Sequence, residues 1–218
     1  TREQEVLISK RIETAEQKAQ NELFSIGLST KFQNQLANKL VNRDERFDRV
    51  VLDKKINSRE IYFKNLPKLI EKAEDISAKM DKTWAEYLEK ASSKLGQKRA
   101  LTRFNNLQVT LKPIFKKYCF KLKVFEEFLL TIEPIQKEII EHLEDLSLAE
   151  KARTKKHRSI NTRKIHTRLK KIENDMSIDP EELVRIIGQV RKGMRHAHRA
   201  KTEMVEANLR LVISIAKK

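Results

Sequence analysis

From Glu203 to Lys218 the chain reads EMVEANLRLVISIAKK, with apolar residues at helical spacing. Val205, Leu209, Val212, Ile213 and Ala216 share one face, which their period marks as buried. Leu211 and Ile215 add a second apolar stripe, the pattern of a helix packed between two partners. Glu203 and Glu206 in the first turns, and Lys217 and Lys218 in the last, match the helix dipole.

The rest of the chain also reads as helices. A first helix spans 2–24, with Thr1 as N-cap, Gly27 as terminator, and Val6, Leu7, Ile12, Ala15 and Leu23 on its buried face. Ser29 or Thr30 caps a second, running to about Ile56, with Phe32, Leu36, Leu40, Phe47, Val50 and Val51 facing the core. Asn57 and Ser58 break the chain, and a third helix spans 59–92. Leu66, Leu69, Ala73, Ile76, Met80, Thr83 and Tyr87 there form a heptad seam, and Pro67 kinks the helix or resets its first turn. The seam is short, which favours an intramolecular antiparallel helix pair over an intermolecular coiled coil.

Ser92, Ser93 and Gly96 make a turn before a helix over 97–111. Pro113 starts a fifth element, 114–130, the most aromatic part of the chain and the expected centre of a core. Pro134 opens a sixth helix carrying Ile135, Ile139, Ile140, Leu143 and Leu146. Asp179 as N-cap, Pro180 at the first helical position and Glu181 and Glu182 behind it start another helix, with Leu183, Ile186, Ile187 and Val190 inward. Gly193 breaks or bends the chain before the final helix. The fold class is therefore all-α, a multi-helix bundle.

Composition changes this picture in two ways. Four glycines and four prolines in 218 residues leave little room for strands, and 39% hydrophobic content with periodic Leu, Ile, Val and Phe lifts the chain out of the disordered regime. The net charge of +16 favours a polyanion or an acidic protein surface as partner. The run 151–171, KARTKKHRSINTRKIHTRLKK, has ten Lys or Arg and no acid. Lys155, Lys156, Arg158, Arg163, Lys164, Arg168, Lys170 and Lys171 read either as a phosphate-tracking surface or as a solvated bridging helix. Aromatics are absent from the run, so base stacking on it is not expected.

Candidate chemistry is sparse. Cys119 is the one cysteine, in an apolar context, which fits a buried small hydrophobe and a reducing cytoplasm. His196 and His198 are two apart and point to different helix faces, so no metal pair is expected. No catalytic constellation, cofactor motif, signal peptide or membrane-length apolar run is present, and no enzymatic activity is expected.

Two stretches carry a resemblance. AKTEMVEANLRLVISIAKK, from Ala200 to Lys218, resembles conserved region 2.1 of primary bacterial sigma factors of the sigma-70 family almost verbatim. TREQEVLISKRIE, from Thr1 to Glu13, resembles the second half of region 1.2, departing mainly at Gln4, Leu7 and Ser9. In that family a variable, non-conserved insertion separates the two, which is the order seen here. The start and stop within these motifs point to an excised fragment.

The resemblance implies three segments: 1–24 as the end of region 1.2, 25–175 as the insertion, and 176–218 leading into region 2.1. It implies that the first and last helices pack together as a platform. It implies docking on the clamp helices of the largest subunit of core RNA polymerase, through Leu209 and Val212, with Val212 weighed slightly more toward intradomain core. It also implies a pocket for the last flipped base of the single-stranded, non-template −10 promoter element, from Glu5, Asn208 and Leu211. The downstream aromatics that melt promoters have no counterpart here, so the fragment is expected neither to melt nor to recognise promoter DNA specifically. The expected function is a cytoplasmic one, in directing the polymerase to promoters at transcription initiation. Two alternatives stay open: a helical protein–protein interaction scaffold, and a non-specific basic DNA-binding protein.

Overall fold

The computed structural model describes residues 2–90, 93–150 and 161–216, with only the backbone of Arg2 and Leu211. The described helices are α1 (Arg2–Leu23), α2 (Gly27–Val41), α3 (Phe47–Val50), a 3-10 turn (Asp53–Lys55), α4 (Arg59–Glu89), α5 (Lys94–Lys117), α6 (Leu122–Glu150), α7 (Thr162–Met176) and α8 (Pro180–Ala216). The fold is all-α; among the described residues β pairing is limited to an isolated bridge between Val51 and Phe120. No described helix is long and apolar enough to cross a membrane. The chain divides into two compact units, one of residues 1–23 and 185–218, the other of 24–184. The sequence divides instead after 24 and after 175.

In the larger unit α4 and α5 form an antiparallel hairpin. Trp84 meets Phe104 at 5.0 Å near its turn, and Tyr62 donates a 2.8 Å hydrogen bond to the Tyr118 carbonyl at its far end. The expected seam is therefore satisfied within one chain. Leu66, Ala73 and Met80 are buried, but so are Tyr62, Ile70 and Trp84, off the seam. The extra stripe exists because α4 packs on α2 as well as α5.

The aromatic segment is the core, as expected. Phe115, Tyr118, Phe120, Phe125 and Phe128 are all buried. Phe24 packs on Phe115 at 5.4 Å and Phe32 on Phe128 at 4.9 Å. The buried Tyr118 hydroxyl donates to Asn34 Oδ1 at 2.9 Å, and burial pushes this phenol's pKa well up. Gln33 Nε2 donates to Ser29 Oγ at 3.1 Å. Asn34 Oδ1 and Gln33 Nε2 thus find partners inside the core, whereas Thr30 Oγ1 and Gln33 Oε1 are buried without one among the described residues.

Several boundaries differ from the sequence reading. Pro113 and Pro134 do not start helices; they lie inside α5 and α6, as Pro67 lies inside α4. All three prolines are exposed, on helix surfaces where a missing backbone bond is tolerated. The break between α5 and α6 falls instead at Cys119, whose φ of 52° is left-handed. Backbone bonds clamp that link: Leu52 N–H donates to the Cys119 carbonyl and Lys121 N–H to the Val50 carbonyl, both at 2.8 Å. The second helix ends at Val41, not Ile56, at a turn through Arg43 with φ 64°.

Gly27 begins α2 rather than ending α1, and Ser29 and Thr30 are buried in α2 rather than capping it. A Cβ on Gly27 would lie 2.9 Å from the Met176 carbonyl oxygen, so this glycine serves close approach. Ser58 and Ser93 occupy N-cap positions, and the Ser93 hydroxyl accepts from Gly96 N–H at 3.2 Å. Gly96 itself lies in the first turn of α5, and Ser92 and the Thr1 cap lie outside the described residues. Asp179 caps α8 as expected, accepting from the amides of Glu181 and Glu182 at 3.0 and 3.1 Å.

Candidate functional site: the paired first and last helices

The smaller unit is built on α1 and α8. The buried face of α1 carries Ile8, Ala19 and Leu23, with Ile12 and Ala15 half-buried. The expected Val6 and Leu7 are exposed instead, because the 8, 12, 15, 19, 23 spacing and not the densest apolar cluster sets the face. On α8, Val190, Met194, Ala197 and Ala200 are buried at the same period.

Gly193 does not break α8, which is continuous over Pro180–Ala216. A Cβ there would meet Ala19 Cβ at 3.2 Å, so its lack of a side chain lets the two helices approach. Ion pairs fix an antiparallel register: Arg11 to Glu203 at 3.0 Å and Lys201 to Glu16 at 2.6 Å. The first and last helices lie side by side, although nearly the whole chain separates them in sequence.

Beyond Glu203 the apolar face of α8 is uncovered. Val205 is 65% exposed, Leu209 58%, Val212 61% and Ile213 46%. This overturns the expectation that these residues, and Val212 in particular, are buried core. Ile215 of the second stripe is 65% exposed, and the Leu211 side chain lies outside the described residues. Hydrophobic period marks which face is apolar; it does not supply the element that covers it.

Of the base-pocket set, Glu5 is half-buried on α1 and Asn208 is exposed on α8.

The basic run is only partly described. Lys155, Lys156 and Arg158 lie outside the described residues. Arg163, Lys164, Arg168, Lys170 and Lys171 are exposed on α7, which buries Ile165, Leu169 and Ile172. Arg168 is committed to α6: its Nη2 meets Glu138 Oε2 at 2.8 Å, and the guanidinium holds that carboxyl below the usual carboxylate range. That leaves four of these five cations facing solvent. Among the described residues no group of three or more His, Cys, Asp or Glu is placed to hold a metal ion.

Sequence reasoning missed a second basic surface. Between Glu182 and Glu203, α8 has no acid and presents Arg185, Lys192, Arg195 and Arg199 at exposed positions. The absence of acids over this stretch was the available signal; its placement beside α1 was not. The chain matches no protein-family model.

Proposed function

We propose that this chain is part of a primary sigma factor, which binds core RNA polymerase and directs it to promoters for transcription initiation. The observation that carries the reading is the pairing of α1 with α8. The two stretches that resemble regions 1.2 and 2.1 lie at opposite ends of the sequence, and the Arg11–Glu203 and Lys201–Glu16 ion pairs join their helices. The uncovered apolar face supports it further. Leu209 and Val212 present exposed apolar surface on one helix, which burial against a partner would stabilise. In this reading they dock on the clamp helices of the largest subunit, while Glu5, Asn208 and Leu211 contribute a pocket for a flipped base of the single-stranded −10 element.

The test is the affinity of the chain for core RNA polymerase at low and moderate salt, with Leu209→Ala alongside. Docking through α8 gives binding that survives moderate salt and weakens roughly tenfold with the substitution, a loss of about 1.4 kcal/mol. A protein–protein scaffold unrelated to transcription gives no binding. Non-specific DNA binding, favoured by the +16 charge, gives DNA affinity that falls with salt at a log–log slope of roughly −0.9 per neutralised phosphate and ignores Leu209.

A further inference from the structure

The α1–α8 pair encloses a groove of about 630 Å³ that none of the roles above uses. Its floor is made of small and apolar residues: Ala15 on α1, Gly193 and the buried Ala200 on α8. Leu7, 59% exposed, stands at one end. Its edges are cationic on both helices: Lys10 and Lys18 from α1, Lys192 from α8, with His196 beside them. Glu22 is the one acid in the lining. Arg11 also lines the groove but is held by Glu203 at 3.0 Å, whereas Lys10, Lys18 and Lys192 are exposed without an ion-pair partner among the described residues.

We infer that this groove is a docking site for an amphipathic helix with acidic edges, supplied by a partner protein. Three features select that occupant. Small floor residues between two antiparallel helices leave space for the apolar face of a third, the helix-in-groove mode of recognition. Unpaired lysines on both edges match carboxylates flanking that face, and such complementarity sets orientation and partner choice. Apart from His196 the lining carries no ring on which a nucleic-acid base could stack, and its floor of Ala15, Gly193 and Ala200 has no side-chain donor for a phosphate. This reading does not depend on the polymerase assignment, since the α8 side of the groove is lined by Gln189, Lys192, Gly193, His196 and Ala200 and not by Leu209 or Val212.

The test uses the full chain and a fluorescently labelled synthetic helix with leucines on one face and glutamates along both edges. Anisotropy is read against a scrambled peptide of the same composition and against labelled duplex DNA. The inference predicts saturable binding of the amphipathic peptide, weakened about tenfold or more by Lys18→Glu with Lys192→Glu. Lys18→Gln with Lys192→Gln should give an intermediate loss, and Leu7→Ser a loss of about threefold at unchanged salt dependence. All these positions are exposed, and unchanged helical circular dichroism would confirm that the variants fold. Equal affinity for the scrambled peptide, or indifference to charge reversal, would overturn the inference. Tighter binding of duplex DNA that displaces the peptide and ignores Leu7→Ser would overturn it in favour of a nucleic-acid surface.

Discussion

Residues 114–130 and 203–216 are the two most densely apolar stretches of the chain, yet they end in opposite environments. In the first, Phe128 is 1% exposed and Phe115, Tyr118, Phe120 and Phe125 are buried with it, packed on Phe24, on Phe32 or on one another. In the second, Leu209 and Val212 keep more than half their surface. A segment is buried when the same chain returns over it, as α2 does over Phe128 through Phe32. A segment left bare at such density is built for contact with something else.

The sharpest way to break this comparison is to truncate one residue from each stretch. Phe128→Ala is expected to cost about 3–5 kcal/mol in urea or thermal unfolding, through lost burial and a cavity. Leu209→Ala should lie within about 0.5 kcal/mol of the parent. Comparable losses at the two sites would mean that the face of α8 is covered after all.

Backbone approach gives the next largest contrast. Gly27→Ala forces a Cβ to 2.9 Å from a backbone carbonyl oxygen and should cost about 1–3 kcal/mol. Gly188→Ala, with nothing within 4 Å inside α8, should stabilise by about 0.5–1 kcal/mol, from helix propensity alone. Paired thermal melts of the two variants with opposite shifts would sharpen the account; shifts of one sign would contradict it.

Tyr118→Phe comes next. It strands Asn34 Oδ1 in the core and should cost about 1–3 kcal/mol, with nearly unchanged packing volume. Asn34→Ala combined with it should lose less than the sum of the two single changes.

The smallest effect is electrostatic. Burial, followed by repulsion from Asp179, raises the pKa of Glu173 in the folded state. A raised carboxylate favours the protonated form, so its penalty is full above the folded value and is relieved as pH falls through the folded value toward the unfolded one. Glu173→Gln should therefore raise the melting temperature slightly at neutral pH and not at acid pH.

These contrasts also show what was legible in the sequence. The Asp179-Pro180-Glu181-Glu182 start of α8 was readable because capping is local chemistry between neighbouring residues. The 114–130 core was readable from density. The helix ends at Val41 and Lys117 were not, because the left-handed residues after them are Arg43 and Cys119 rather than glycine. The first turn closes locally, Asp44 N–H on the Lys39 carbonyl, and the second is held by tertiary bonds to Val50 and Leu52. Pro113 and Pro134 misled for a related reason: a proline on a solvent-facing turn leaves a long, packed helix intact. The pairing of α1 with α8 followed only from the resemblance of the chain ends. Its small-residue contact at Gly193 and Ala19 carries no signal of which helix is the partner.

The measurement closest to the central claim is amide hydrogen exchange of the chain with and without core RNA polymerase, read peptide by peptide. The account predicts added protection concentrated in 203–216, with residues 114–130 already protected and unchanged. Protection confined to α7, or no change anywhere at saturating polymerase, would contradict it.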